Sequence, residues 1–434
     1  MRKKFNINTV LGLFSLVLAL VFNHYTLYVL FDGYSYPLLQ NSMLILAVVD
    51  LILVYTGVAF IINRKNKSYL AKYTKIVAVN VAVMLVMITI IELVFGNWIN
   101  PNNLNQLNII RDTQVHYSLD GLYSFESDVV VYTRDRWGLR GEYPDVDCID
   151  ILTVGGSTTD QRYIPDSLTW QNILHNEFEA NGKEVWVVNA GIDGQSTRGH
   201  IKNFDWWFPG IPNLSVKYYL FYVGVNDYYK GAGHVDDELL AAPVQSELEN
   251  IAGVIASRSA LYYLNRVVNG IILARVYGLA HNTAHHAYRE FSTENWIDQP
   301  LASNYEAIMK NRLDAYEQRL NVLCERVASV GSIPIFVTQS SGRVYDFVDG
   351  QLLAAPDISQ YEGHRTNGVD YYYMSRLLNG ATQKVCQENG GIFINLDAEL
   401  DFNIHDDFYD RCHNSPSGTD RIGKYLYTKL EYLF

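Results

Sequence analysis

Four short blocks hold residues able to do chemistry together: Gly155-Gly156-Ser157-Thr158, Asn189-Ala190-Gly191, Gly224-Val225-Asn226-Asp227 and Asp410-Arg411-Cys412-His413. Ser157 supplies a hydroxyl nucleophile. Asp410 and His413 stand three residues apart, so a carboxylate can reach the far nitrogen of the imidazole, fix its tautomer and stabilise the imidazolium. Gly191 offers a backbone N–H and Asn226 a side-chain amide, the kind of preorganised donors that hold a developing oxyanion in place of water. Nucleophile, base, orienting acid and donors are the parts of acyl transfer through a tetrahedral oxyanion. Singly, each block is ordinary: a serine after a strand, a turn glycine, a loop-capping amide, one of eleven histidines. Their joint occurrence is what points to chemistry.

Such groups must be carried to one place by the fold. From residue 149 onward, apolar runs of strand length alternate with stretches of helical period, the pattern of a parallel sheet covered on both faces. Strands are predicted at 149–154, 185–189, 218–223, 333–338 and 392–395, and helices at 169–180, 305–330, 372–389 and 418–433. The first three blocks each follow a strand, which places them at the carboxyl edge where open α/β sheets bind ligands. Asp410 and His413 fall between the last strand and the last helix.

With these residues in this order, the chain resembles the SGNH (GDSL-like) hydrolase superfamily over roughly residues 149–434. The resemblance implies a three-layer α/β/α flavodoxin-like domain. It makes Ser157 the nucleophile, His413 the general base and Asp410 its orienting acid. The Ser157 backbone N–H, Gly191 and Asn226 would form the oxyanion hole, with no cofactor and no metal. In the family's usual first block, Gly-Asp-Ser, the middle residue is an acid. Here Gly156 replaces it, a variant resembling members found with bacterial cell-surface polysaccharide genes, and the change bears on how Ser157 is supported.

The first hundred residues are of another kind. Three apolar runs, about 9–31, 43–62 and 76–95, each reach the ~20 residues a membrane-crossing helix needs. Lys and Arg precede the first run and fill the 63–75 loop, while 32–42 has neither. By the positive-inside rule this predicts a multi-pass membrane protein, amino terminus inside and catalytic domain outside, with the lipid bilayer as a partner; the resemblance implies a bacterial cytoplasmic membrane. A cleaved signal peptide is the alternative for the first run, although no small-residue cleavage pattern follows it. Asp50 and Glu92, inside or near the ends of the second and third runs, are candidates for a function within the membrane or for bonding to a neighbouring helix or to water.

The chain has 434 residues and a net charge of −12; residues 1–98 carry +5, so the remainder carries −17. An acidic surface argues against nucleic acid as a partner. Cys148, Cys324, Cys386 and Cys412 contain no Cys-x-x-Cys pair, and their spacing chooses no disulfide pairing. Residues 99–147 read as a lead-in segment with short strands, and 148–434 as the hydrolase domain, with an insertion at about 229–300 that includes an apolar stretch at 261–280. His281, His285 and His286 within that insertion have metal-binding spacing but also suit an exposed helix face. Tyr228 and Tyr229, next to the Asn226 block, are candidate substrate contacts.

These observations lead to a membrane-tethered serine esterase. It would act through an acyl-serine on O-acyl groups, O-acetyl foremost, of envelope or secreted carbohydrate. Three alternatives share the residues: a carbohydrate O-acyltransferase working with a membrane-protein partner, a lipid esterase, and a noncatalytic glycan-binding subunit of an envelope synthase complex.

Overall fold

The computed structural model describes residues 6–22, 43–66, 69–96, 98–99, 104, 107, 109–119, 121–231, 237, 239, 258–262 and 291–434. The chain divides into two compact units, Met1–Pro101 with Arg258–Ala280, and Asn102–Ser257 with His281–Phe434. From Asn102 on, the lead-in therefore belongs to the larger unit.

The first unit contains α1 (Ile7–Phe22), α2 (Met43–Ile62) and α3 (Tyr69–Phe95). Helices α1 and α2 pack closely where two glycines meet: a Cβ on Gly12 would lie 2.8 Å from the Gly57 carbonyl oxygen, and one on Gly57 2.9 Å from that of Gly12. Ser15 Oγ donates to the Leu53 carbonyl at 2.8 Å beside this contact.

Here the expectation of three membrane spans, and with it the multi-pass, outward-facing placement, is corrected. Among the described residues no helix is long and apolar enough to cross a membrane. With 16 residues, α1 rises about 24 Å, short of the ~30 Å hydrocarbon core.

Glu92 has a local duty. Its carboxylate accepts from Trp98 Nε1 at 2.8 Å, Ser259 Oγ at 2.7 Å and the backbone N–H groups of Ala260 and Leu261 at 3.0 and 3.2 Å. It thus ties the start of the 260–262 helical turn, expected as part of a hydrolase insertion, into the first unit. Asp50 Oδ1 has no hydrogen-bond partner among the described residues. Most of 229–300, including Arg266, Arg275, His281, His285 and His286, lies outside the described residues.

The second unit opens with an antiparallel hairpin, β1 (Thr113–Ser118) and β2 (Val129–Arg134). Five parallel strands follow: β3 (Ile149–Gly155), β4 (Trp186–Asn189), β5 (Tyr218–Val223), β6 (Ile333–Thr338) and, after two small hairpins at Tyr345–Ala354 and Ser359–Thr366, β7 (Ile392–Ile394). Their spatial order is β7-β6-β5-β3-β4. Numbered from the first parallel strand, that is 2-1-3-4-5, the flavodoxin-like doubly wound order.

Alternation along the strands builds the two covered faces. Tyr218, Leu220 and Tyr222 of β5 and Ile335 and Val337 of β6 meet Trp170, Leu174 and Phe178 of one helix (Trp170–Ala180) and Ile422, Leu426 and Leu430 of another (Pro416–Leu430). Tyr219, Phe221, Val223 and Phe336 point the other way, onto helices Tyr305–Ser329 and Gly368–Glu388. Successive side chains on a strand face opposite sides, so a strand buried on both sides must be apolar throughout, as β5 is.

Candidate active site

Strands β3 and β5 end beside each other at one edge of the sheet, Gly155 opposite Tyr222. The chain turns at Gly155 and Gly156 into the short helix Ser157–Asp160. Both glycines are demanded by close approach. A Cβ on Gly155 would overlap the Thr159 side chain, and one on Gly156 would overlap Asn226 Nδ2 and lie 2.9 Å from the Gln195 carbonyl oxygen. A glycine at 156 thus has a structural reason: the Asn226 amide occupies the space a side chain would need.

Ser157 and His413, 256 residues apart in the chain, meet here. His413 Nε2 lies 2.6 Å from Ser157 Oγ, and Nδ1 lies 2.6 Å from Asp410 Oδ2. Asp410 Oδ1 accepts two further bonds, from the backbone N–H groups of Cys412 at 2.9 Å and His413 at 2.7 Å. Burial opposes ionisation of Asp410, but the imidazole and these donors outweigh it and hold the carboxyl below its usual range. Burial likewise opposes a charged His413; Asp410, with Cys412 beside it, overrides burial and holds the imidazole well above its ordinary value. The Tyr409 ring lies parallel to the imidazole, centroids 5.7 Å apart, and limits its tilt.

The oxyanion donors differ in part from expectation. Asn226 Nδ2 donates to the Gln195 carbonyl at 2.9 Å; an amide carries two N–H donors, so this bond orients the group and leaves one for a ligand. The Ser157 N–H opens its helix and has no intrahelical acceptor. Gly191 is corrected: its N–H donates to Asn189 Oδ1 at 2.8 Å, and a Cβ there would run into the backbone of Thr159 and Asp160. That donor is used inside the fold. Gly194, on the same loop, has φ +75° and an N–H with no hydrogen-bond acceptor among the described residues. It directly precedes Gln195, whose carbonyl holds the Asn226 amide.

A second layer supports the Ser157 helix from the segment read as lead-in. Asp160, at its last residue, accepts from Tyr132 Oη at 2.7 Å and pairs with Arg134, which also donates to the Gly191 carbonyl. Arg162 lies 3.5 Å from the other Asp160 oxygen and bridges to Asp193 at 3.1 Å. Burial pushes the Asp160 carboxyl up, and the guanidinium groups outweigh it, leaving it below its usual range. Arg140 donates to the carbonyls of Asp160, Gln161 and Ile164, while Asn189 Nδ2 donates to that of Thr159 at 2.6 Å. One signal was available in the sequence: Val130, Tyr132 and Arg134 alternate on β2, so a cation shares the inward face with two apolar residues.

The remaining candidates fall apart. Tyr228 is only 4 % exposed, stacked on Tyr361 and edge-to-face with Tyr371 in the core, and offers no open face. Tyr229 is 57 % exposed, on the outside of that cluster. All four cysteines are free thiols.

No protein-family model matches the chain, and no curated protein does. Among solved structures, it is similar to LAE5, an alpha/beta hydrolase enzyme from the metagenome of Lake Arreo, Spain (13 % identity, TM-score 0.36, 66 % of this chain and 96 % of that one). Est24, a carbohydrate acetylesterase from Sinorhizobium meliloti, gives 12 % identity and TM-score 0.34 over 66 % of this chain and 100 % of its own. A variant of Axe2, an acetyl xylan esterase from Geobacillus stearothermophilus, gives 11 % and 0.35 over 65 % and 94 %. Likeness at this level decides no activity; the site's own geometry must.

Proposed function

We propose that this chain is a serine ester hydrolase that removes O-acyl groups, O-acetyl foremost, from carbohydrate through an acyl-serine. The observation that carries the reading is the continuous relay from Ser157 Oγ through His413 to Asp410, both contacts at 2.6 Å. His413 Nε2 takes the Ser157 proton as Oγ attacks the ester carbonyl, and Asp410 stabilises the imidazolium. The Ser157 N–H and the second Asn226 N–H receive the oxyanion. Collapse expels the alcohol with the proton held by His413; water then enters and the same proton path releases the acid. The sugar ester as substrate rests on the likeness of the Gly-Gly-Ser block to that of polysaccharide-linked members of the superfamily.

Labelling with a fluorophosphonate, beside turnover of p-nitrophenyl acetate, tests the chemistry. Both are expected in the native chain and both should vanish in Ser157→Ala. Folded native protein that shows neither would sink the proposal. Release of acetate from acetylated oligosaccharides, compared with release from phospholipid, then tests the substrate class.

A further inference from the structure

The catalytic loop carries a side chain the hydrolytic relay does not use. Cys412 Sγ lies 3.8 Å from His413 Nδ1, on the side of the ring that faces Asp410. The thiol, the ring nitrogen and a carboxylate oxygen of Asp410 all lie within 4.8 Å of one another, and none of the three residues is fully buried. We propose that Asp410, Cys412 and His413 form a chelating site for a thiophilic divalent cation, zinc above all, and that its binding switches the enzyme off. The proposal rests on the reading of His413 as the base.

The geometry suits the ion. With Zn–S near 2.3 Å and Zn–N near 2.0 Å, sulfur and nitrogen in a tetrahedral site stand about 3.5 Å apart, close to the separation already present. The Asp410 oxygen, now hydrogen-bonded to Nδ1, must swing out by roughly half an ångström or more to bind the metal instead. Thiolate, imidazole and carboxylate form a three-ligand set typical of zinc, with water in the fourth position.

Inhibition follows from the tautomer. Metal on Nδ1 displaces the proton from that nitrogen, and the thiol loses its own. A neutral imidazole bound through Nδ1 carries its remaining hydrogen on Nε2, the atom facing Ser157. That nitrogen can then donate to Ser157 Oγ but cannot accept its proton, so the nucleophile is left unactivated. The other thiols lack this setting: Cys324 and Cys386 are buried, and Cys148 is exposed with Asp147 beside it.

The test uses the purified full chain with Cys148→Ser as background and Cys412→Ser and Cys412→Ala added to it. Ester turnover is titrated with zinc chloride, each variant relative to its own zinc-free rate, and cadmium binding is read from the thiolate charge-transfer band in the ultraviolet. Zinc should inhibit the background variant, with reversal by EDTA, and both Cys412 variants should need on the order of tenfold more zinc, a loss of about 1.4 kcal/mol. The cadmium band should appear in the background and disappear with Cys412. Equal zinc sensitivity with and without Cys412, or no cadmium band in the background, overturns the proposal. A chain that turns over no ester yet shows a Cys412-dependent cadmium band refutes the ester-hydrolase reading and upholds the chelate.

Discussion

Gly156→Ala is the most revealing single substitution. The backbone there has φ −87°, outside the left-handed region, and the methyl meets its neighbours through space. It would overlap Asn226 Nδ2 and press on the Gln195 carbonyl at 2.9 Å, the acceptor that orients the amide. Asn226 must rotate away, and one oxyanion donor leaves the site. Loss of such a donor typically lowers kcat by ~10²–10³, or about 2.7–4 kcal/mol of transition-state stabilisation. Because the interaction belongs to the transition state, KM should change little. Asn226→Ala should cost a similar factor. The double variant should fall no further than the worse single one, since both remove the same donor. Gly380→Ala is the control, at a helical position with open space around it, and it should leave kcat alone. Steady-state kinetics on the four proteins and the native chain measure this. Penalties that multiply in the double variant, or native kcat in Gly156→Ala, would refute the coupling of Gly156 to Asn226.

Three further outcomes follow from the electrostatics. The base works as neutral imidazole and His413 is held well above its ordinary value, so kcat/KM should climb with pH through that raised value; in Asp410→Asn the inflection should move to lower pH while kcat drops by on the order of 10⁴, the figure for the equivalent change in a Ser-His-Asp triad. An inflection that stays put in Asp410→Asn would remove Asp410 from its role. The same raised value links to stability: the charged pair contributes fully below the unfolded-state pKa of ~6.5 and its contribution is lost as pH rises through the folded-state value, which denaturant titration across pH reads directly. Arg134→Met leaves Asp160 buried without its main counter-charge, a change worth about 3–5 kcal/mol for a fully uncompensated group and less here because Arg162 remains at 3.5 Å. Thermal unfolding should shift down accordingly, and an unchanged midpoint would show that the cluster bears no weight.

Much of the sheet was legible because its signals are local. A strand buried on both faces has to be apolar along its length, so the runs at 149–154, 218–223 and 333–338 marked β3, β5 and β6 to within a residue. Ser157 and Asn226 were legible as residues placed just past such strands, and Asp410 and His413 as an acid and a base on one short loop. Gly191 was misjudged because glycine spacing shows that an N–H is accessible to something, not which acceptor it finds; Asn189, two residues back, takes it. Tyr228 follows the Asn226 block closely enough to suggest a cleft contact, yet a helical turn rotates its ring into the core. The membrane expectation is corrected because, among the described residues, no helix is both long and apolar enough to cross a membrane.

By itself, the sequence determined the chemical inventory: a hydroxyl, an imidazole, a carboxylate and an amide, with enough apolar strand to build a parallel sheet that gathers them. Those are properties of residue type and of spacing over a few positions. Tertiary structure decided which groups meet and which are already engaged: Ser157 with His413 across 256 residues, Asn226 with Gly156, Arg134 with Asp160 across 26. It also drew the supposed lead-in into the support of the nucleophile. The reason is physical: a buried charge or an amide donor has its partner fixed by three-dimensional packing and the need to satisfy it, and neither leaves a periodic mark along the chain.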